Sequence, residues 1–269
     1  MSSSSSPSST PAFSPEYVRH DEGANLVGVS IAMMPFTVII VGLRLWCRKK
    51  KKTPIGWDDW MSVISLPFLW ALAVLGILSV YTGGVGRHLP VVLKEDPDML
   101  GRSLFCLFLG EIAYGTALFT VKQSILLLYQ RIFPTRFMRV AGFLLGGLSA
   151  AWWLVVVFIS VFQCTPIKKM WHPFMEEGKC LDSNKFFLGN LIPNIIIDVL
   201  ILALPVYEVL RLQIRRAQKI AIASIFLLGG LVVIISCIRL TAIIDFITIG
   251  PDGDVTCITR WALLDLDHG

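Results

Sequence analysis

Six long apolar segments, separated by polar connections, constrain this chain more than any other feature of its sequence. Each is long enough to cross a bilayer, because a spanning helix needs about 20 predominantly apolar residues. A mean hydropathy of +0.69 and a charged fraction of 16% agree, since ordinary globular domains are about one-quarter charged. The sequence therefore predicts an integral, multi-pass membrane protein in contact with the lipid bilayer. The six spans cover residues 26–46, 61–81, 104–128, 140–162, 186–206 and 220–244.

The spans are predicted to be helices. Inside a bilayer each backbone amide must find its partner within the protein, and a continuous helix achieves this within one segment. Transmembrane barrels show short segments of alternating polarity instead, and that pattern is not found in this sequence. The predicted fold class is an all-α, polytopic transmembrane helix bundle over residues 26–259. The Ser/Pro-rich residues 1–25 are expected to form a disordered tail, because their composition cannot build an apolar core.

The orientation is predicted from a cationic run between the first two spans, CRKKKKTPIGWDDW, which holds five consecutive cations from Arg48 to Lys52. Alone, such a run could signal nuclear import or nucleic-acid binding. Between two spans, the positive-inside rule predicts a cytoplasmic loop. We therefore expect an extracellular or lumenal N-terminus, in the plasma membrane or an endomembrane, and no nucleic-acid partner.

Two adjacent carboxylates, Asp58 and Asp59, close the same loop. Such a pair can hold a hard cation. The alternative is that both lie at the start of the second helix, where free amides and the helix dipole favour anions. A diphosphate-binding Asp-Asp-x-x-Asp motif would need an acid at position 62, which is Ser62. We therefore expect no metal site here and no cofactor.

Apart from Arg44 near the end of the first span, four charged residues fall inside the spans, where a charge costs about 2.5 to 3.5 kcal/mol even on permissive insertion scales. Matching their depths predicts a pair between Glu111 and Arg239, and a second pair between Lys122 and Asp198. These pairs could hold helices together or form a ligand site, and the sequence does not choose between the two.

The fifth span adds a polar stripe, because Asn190, Asn194 and Asp198 recur at every fourth residue. The stripe could bind an ion or a polar substrate, or it could make hydrogen bonds between helices. The candidate intramembrane polar site consists of Glu111, Lys122, Asn190, Asn194, Asp198 and Arg239.

Four of the six cysteines lie near the predicted outer face, where disulfides are permitted: Cys106, Cys164, Cys180 and Cys257. Cys164 and Cys180 bracket the connection between the fourth and fifth spans, so this pair is the first choice. Four cysteines allow three complete pairings, and Cys106 with either loop cysteine is the main competitor.

Several short motifs carry a family resemblance: GWDDW, GGVGRH, KQSILLLYQRIF, FQCTP and CIRL. Together they resemble the fungal integral membrane "rhodopsin domain" family, which includes Pth11-like receptor-like proteins and membrane proteins of toxin clusters such as the satratoxin cluster. The resemblance implies a seven-helix bundle. Only WALLDLDHG follows Arg260, so residues 260–269 are expected to be the truncated start of a seventh helix. Retinal is not expected, because its Schiff-base lysine normally lies on that helix.

Three functional readings follow from the resemblance and the polar residues. The first is a receptor-like protein that senses an extracellular small molecule and meets a cytoplasmic signalling protein. The second is a membrane enzyme or auxiliary factor of fungal secondary metabolism, with Glu111, Asn194 and Asp198 around a lipophilic substrate and a carboxylic acid as proton donor. The third is a truncated gene product. Because no paired-carboxylate or His-rich catalytic constellation is found in the sequence, an enzyme is the less favoured of these readings.

Overall fold

The computed structural model describes residues 23–84, 97–171, 178–181 and 183–211, with isolated positions between 227 and 235. The predicted tail and C-terminal segment, and most of the predicted sixth span, lie outside these residues. A short 3₁₀ helix, Ile167–Met170, and two paired two-residue strands, β1 (Cys164–Thr165) and β2 (Lys179–Cys180), connect the last two long helices. The five long helices are α1 (Gly23–Lys50), α2 (Trp57–Gly83), α3 (Pro97–Ile132), α4 (Arg136–Val161) and α5 (Ser183–Arg211).

All five long helices in the described residues are long and apolar enough to cross a membrane. This confirms the predicted all-α, polytopic architecture. Their outward faces carry large exposed apolar side chains, such as Phe36 on α1 and Phe143 on α4, as expected for surfaces in contact with lipid. The most apolar stretch of α1 has no buried residue, whereas a third of the corresponding stretch of α5 is buried. Helix α1 is therefore peripheral.

Sequence signals set the ends of the helices. The side chain of Asp59 accepts a hydrogen bond from the backbone N–H of Gly56 at 3.2 Å, just before α2 begins. Helix α2 ends at Gly83, and the capping residue Gly84 that follows has a φ of 66°, in the left-handed region that glycine adopts without penalty. Helix α4 begins after Thr135, whose hydroxyl accepts from the Met138 N–H and donates to the buried carboxylate of Glu208 on α5 at 2.6 Å.

The core lies among α3, α4 and α5. It is built from Leu126, Tyr129 and Phe133 of α3, with the remaining members contributed by the two neighbouring helices. Helix α3 also packs along the length of α2, so it is the central helix of the described bundle. The members from α4 and α5 are Met138, Trp152, Val156, Ile197, Ile201 and Leu204.

Three successive residues of α3 reach three different helices. Ser124 forms a 2.7 Å hydrogen bond with Ser62 of α2, and Gln123 donates to Ser149 of α4 at 2.8 Å. Lys122 reaches α5. Because successive residues of a helix point about 100° apart, a run of polar residues at the centre of a bundle can contact several neighbours at one depth. We call Lys122, Gln123 and Ser124 the α3 hub.

The predicted disulfide between Cys164 and Cys180 is confirmed. The two cysteines face each other across the β1–β2 pair, so the bond ties the ends of the α4–α5 connection together. Cys106 carries a free thiol, so the competing pairing through Cys106 is wrong. The physical reason is that the strand pair brings residues 164 and 180 together directly.

We predict that Gly83→Ala separates α2 from α3. A methyl group at this position would lie 2.8 Å from the Cα of Ser103, and backbone atoms cannot move aside cheaply. Overpacking of this kind typically costs about 1–3 kcal/mol, which thermal unfolding of the purified chain in detergent would report. Gly147→Ala is the matched control, because a methyl group there meets no atom within 4 Å. Equal stability of the two variants would contradict the close helix approach.

Candidate functional site

Three arginines from two helices surround Asp58 and Asp59 at one end of the bundle. Arg44 lies 3.0 Å from Asp58 and 3.1 Å from Asp59, and Arg48, which also contacts Asp58, lies 2.6 Å from Asp59. Arg131 of α3 lies 3.1 Å from Asp58. Both carboxylates are almost completely buried, at 3% and 0% exposure. We call these five residues the arginine–aspartate cluster, and it joins α1, α2 and α3.

The cluster shows that the helix-terminus interpretation of Asp58 and Asp59 is incomplete. The two anions do begin α2, but each is also neutralised by guanidinium groups from other helices. A metal cation placed here would meet three guanidinium groups around only two carboxylates, and this net positive charge disfavours metal binding. The missed signal is the spacing of Arg44 and Arg48, which lie four residues apart and therefore on one face of α1.

A second polar cluster lies between α3 and α5. The Nζ of Lys122 is 3.0 Å from a carboxylate oxygen of Asp198, and it donates to the side chain of Asn194 at 2.7 Å and to its backbone carbonyl at 3.2 Å. The ring of Trp152 lies 5.2 Å from the same ammonium group. Lys122 is 3% exposed. We call Lys122, Asn194 and Asp198 the midplane cluster.

The midplane cluster uses the full donor capacity of its lysine. An ammonium group has three N–H donors, and three oxygens of Asn194 and Asp198 lie within hydrogen-bond reach of Lys122. The arrangement satisfies a buried charge and ties two helices together. It leaves the lysine without an unused donor in the structure described.

A cavity of about 680 Å³ lies at the opposite end of the bundle from the arginine–aspartate cluster. Helices α2 and α3 form its sides, and the disulfide between Cys164 and Cys180 borders it. We call it the disulfide-end cavity. Its apolar wall includes Leu72, Leu75, Leu104, Leu107, Phe108 and Met170, and its polar wall includes Ser79, Glu111, Tyr114, Gln163, Lys169 and Asn190.

Two carbonyl oxygens in this wall are notable. The Oδ1 of Asn190 and the Oε1 of Gln163 are buried and accept no hydrogen bond within the described structure. A buried polar atom without a partner typically costs about 1–3 kcal/mol. The backbone carbonyl of Asn190 accepts from the indole of Trp152 at 3.2 Å, which fixes the backbone position of this residue beside the cavity.

The family sequence model described as the fungal rhodopsin domain matches residues 43–269, a range that includes both clusters and the cavity. This chain belongs to the fungal rhodopsin domain family. No solved structure matches the chain.

Among its relatives in the family, the chain is 27% identical over 223 residues to the polyenoic acids biosynthesis gene cluster protein Ba17b of Metarhizium anisopliae, covering 81% of this chain and 59% of the relative. It is 32% identical over 127 residues to the satratoxin biosynthesis SC1 cluster protein 4 of Stachybotrys chartarum, covering 46% of this chain and 47% of the relative. It is 25% identical over 232 residues to the receptor GIN3 of Arthrobotrys oligospora, covering 86% and 56%. The chain thus spans about half the length of these relatives.

In this fungal rhodopsin domain, the predicted polar site divides into two groups. Lys122, Asn194 and Asp198 meet in the midplane cluster, including the pair predicted between Lys122 and Asp198. Glu111 and Asn190 line the disulfide-end cavity. Arg239 lies outside the described residues, so its pairing with Glu111 stays a prediction.

The candidate site residues named from the sequence omit four other polar residues of the cavity, Ser79, Tyr114, Gln163 and Lys169. Tyr114 could have been found, because it follows Glu111 by three residues on the same helix face. Gln163 had a weaker signal, its position directly before Cys164. In the described part of the chain, no group of three or more His, Cys, Asp or Glu side chains is arranged to hold a metal ion.

We predict that Lys122→Met destabilises the bundle strongly, because the variant leaves the Asp198 carboxylate without its cation. Removing one partner of a buried ion pair typically costs about 3–5 kcal/mol. The double variant Lys122→Met/Asp198→Leu should recover most of that loss, and unfolding in detergent across the four-protein cycle measures the coupling. Lys168→Met, at an exposed position, is the control. Additive losses in the double variant would argue against the pair.

Proposed function

We propose that this protein is a receptor-like member of its family that binds a small lipophilic molecule in the disulfide-end cavity. The observation that carries this proposal is the cavity itself. Its volume of about 680 Å³ falls within the range of roughly 300–1,000 Å³ that is typical of small-molecule sites, which also occur between the helices of bundles.

The cavity wall indicates the chemistry of the ligand. Most of the wall is apolar, and a few polar side chains are placed among the leucines and aromatic rings. Asn190 and Gln163 contribute buried carbonyl oxygens that have no donor in the described structure. A ligand with an apolar body and one or two hydroxyl or amine groups fits this wall, because its N–H or O–H groups could pair with amide carbonyls.

Helix α3 connects the cavity with the opposite end of the bundle. Glu111 lines the cavity, and Arg131, twenty residues later, binds Asp58 in the arginine–aspartate cluster. Twenty helical residues span about 30 Å. If α3 can adopt two positions and the cavity binds the ligand more tightly in one of them, the ligand shifts α3 toward that position. The contacts of Arg131 at the far end then change with it.

The proposal also includes the orientation of the chain in the membrane and a cytoplasmic protein partner. With an extracellular or lumenal N-terminus, the cavity opens toward the outside and the arginine–aspartate cluster lies at the cytoplasmic surface. A cytoplasmic signalling protein would then meet the short basic connections near Arg136 and Arg139, which are exposed. The receptor name of one relative supports this direction.

A second candidate is an auxiliary membrane protein of secondary metabolism. It is favoured by the names of several relatives, which are proteins of biosynthesis gene clusters. The same cavity would then hold a lipophilic metabolite during its synthesis or transport. Deleting the gene separates the candidates. A lost metabolite with normal transcription of its biosynthetic genes supports the auxiliary role, whereas a lost transcriptional response to an added ligand supports the receptor.

We predict that Asn190→Leu weakens ligand binding. A panel of hydroxylated polyenes and terpenoids would be screened by ligand-dependent thermal stabilisation of the purified chain. Loss of one hydrogen bond worth about 1.4 kcal/mol should raise the Kd of a stabilising ligand about tenfold. Ile192→Met is the control, because this side chain of the same helix is exposed and does not line the cavity. An unchanged Kd in the Asn190 variant would contradict binding at this wall.

A further inference from the structure

The structure divides the cationic run at the end of α1 into two parts. Arg48 turns inward and binds Asp58 and Asp59. Lys49, Lys50, Lys51 and Lys52 are exposed, and none of them forms an ion pair with a described residue. We call these four residues the lysine turn. Positive charge that helix packing does not use is therefore concentrated on one short piece of surface.

The lysine turn has a defined backbone. The N–H of Thr53 donates to the carbonyl of Arg48 at 3.2 Å, and the N–H of Lys52 donates to the carbonyl of Lys49 at 3.1 Å. Lys52 has a φ of 52°, in the left-handed region. Together these features make a Schellman motif, in which glycine usually occupies the left-handed position. In this chain the left-handed position is occupied by Lys52, a residue for which this backbone conformation is less favourable than for glycine.

Exposed tryptophans flank the lysine turn on both sides. Trp46 precedes it and is 58% exposed, and Trp57 and Trp60 follow it at 75% and 56% exposure. The Nζ of Lys50 lies 5.2 Å from the ring of Trp46. Tryptophans at the ends of membrane helices lie at the level of the lipid headgroups. The lysine turn is therefore placed where headgroup phosphates and carboxylates are found.

The neighbouring arginine–aspartate cluster adds to the positive charge. Its arginines outnumber its carboxylates by three to two, so the cluster does not neutralise the turn. The carboxylates are almost completely buried, whereas the arginine side chains are 15% to 32% exposed.

We propose that the lysine turn, with Trp46 and Trp57, is a binding site for anionic phospholipid headgroups. Juxtamembrane lysines attract anionic lipids, and each lysine near such a surface strengthens binding about fivefold. The fixed turn holds the four ammonium groups together, and the indole rings pack at the acyl boundary beside them. An acidic protein is the less favoured occupant, because the flanking rings belong at the depth of the lipids. This site is independent of the ligand cavity.

The test uses the full chain reconstituted in nanodiscs of phosphatidylcholine with a minority of phosphatidylserine. One of the two lipids carries bromine on its acyl chains, and quenching of tryptophan fluorescence reports which lipid contacts the protein. For the wild type, brominated phosphatidylserine should quench more than an equal fraction of brominated phosphatidylcholine, and added salt should reduce the difference. In the variant with Lys49, Lys50, Lys51 and Lys52 all replaced by Gln, the ratio should fall to about one, since each of those lysines is lost.

Three further variants separate charge from folding. Lys51→Gln/Lys52→Gln should lower the phosphatidylserine preference more than Arg136→Gln/Arg139→Gln, which removes two exposed cations that lie at the start of α4. Lys52→Gly should lower the preference while keeping or raising thermal stability, because glycine suits the left-handed position.

Three results would overturn the proposal: equal quenching by both lipids in the wild type, an equal effect of the two double variants, or a preference that salt does not change. Capture of an acidic protein by the lysine turn, with lipid preference unchanged in the fourfold variant, would assign the turn to a protein partner instead.

Discussion

The fold depends on how the polar residues of α3 are satisfied, because the bilayer interior offers no water to a buried polar group. The α3 hub meets this requirement by giving each of its three side chains a partner on a different helix. Arg131 repeats the arrangement near the end of α3, where it reaches the carboxylates that begin α2. The apolar core around Leu126 lies between these two levels on the same helix. Polar contacts therefore set which helices are neighbours of α3.

The five described spans, their helical structure and the disulfide could be predicted from the sequence because each rests on a local rule. Length and apolarity define a span, and two cysteines that bracket one connection are close in the chain. The pair of Lys122 and Asp198 could be predicted because depth in a bilayer is a coordinate that sequence position supplies. Sequence position does not give the rotation of a helix about its axis, which decides which neighbouring helix a side chain faces. For that reason the interpretation of Asp58 and Asp59 stopped at the helix terminus and did not include the arginines.

The cavity could not be predicted for a related reason. Its wall combines residues from α2 and α3, the disulfide loop and Asn190 of α5, which are far apart in the sequence. The polar stripe of α5 illustrates the difference. Asn190 and Asn194 are one turn apart and lie on one face of the helix, yet the first lines the cavity and the second binds Lys122. A shared helix face did not mean a shared site, because the neighbours change from one turn to the next.

The arginines of the arginine–aspartate cluster differ in how closely they contact the carboxylates and in how exposed they are. This difference affects how α3 can move. Arg48 makes the closest contact to Asp59, at 2.6 Å, and its side chain is 15% exposed. Arg131 contacts Asp58 at 3.1 Å and Asp59 at 3.9 Å, and its side chain is 32% exposed. If Arg131 withdraws, the carboxylates keep two guanidinium partners and Arg131 has access to water. The cost of separating α3 from this cluster is therefore lower than the cost of opening the midplane cluster, where Lys122 is buried and has no second source of anions among the described residues. If α3 moves, we expect it to rotate about a point near Lys122, so that the largest change in contacts occurs at Arg131.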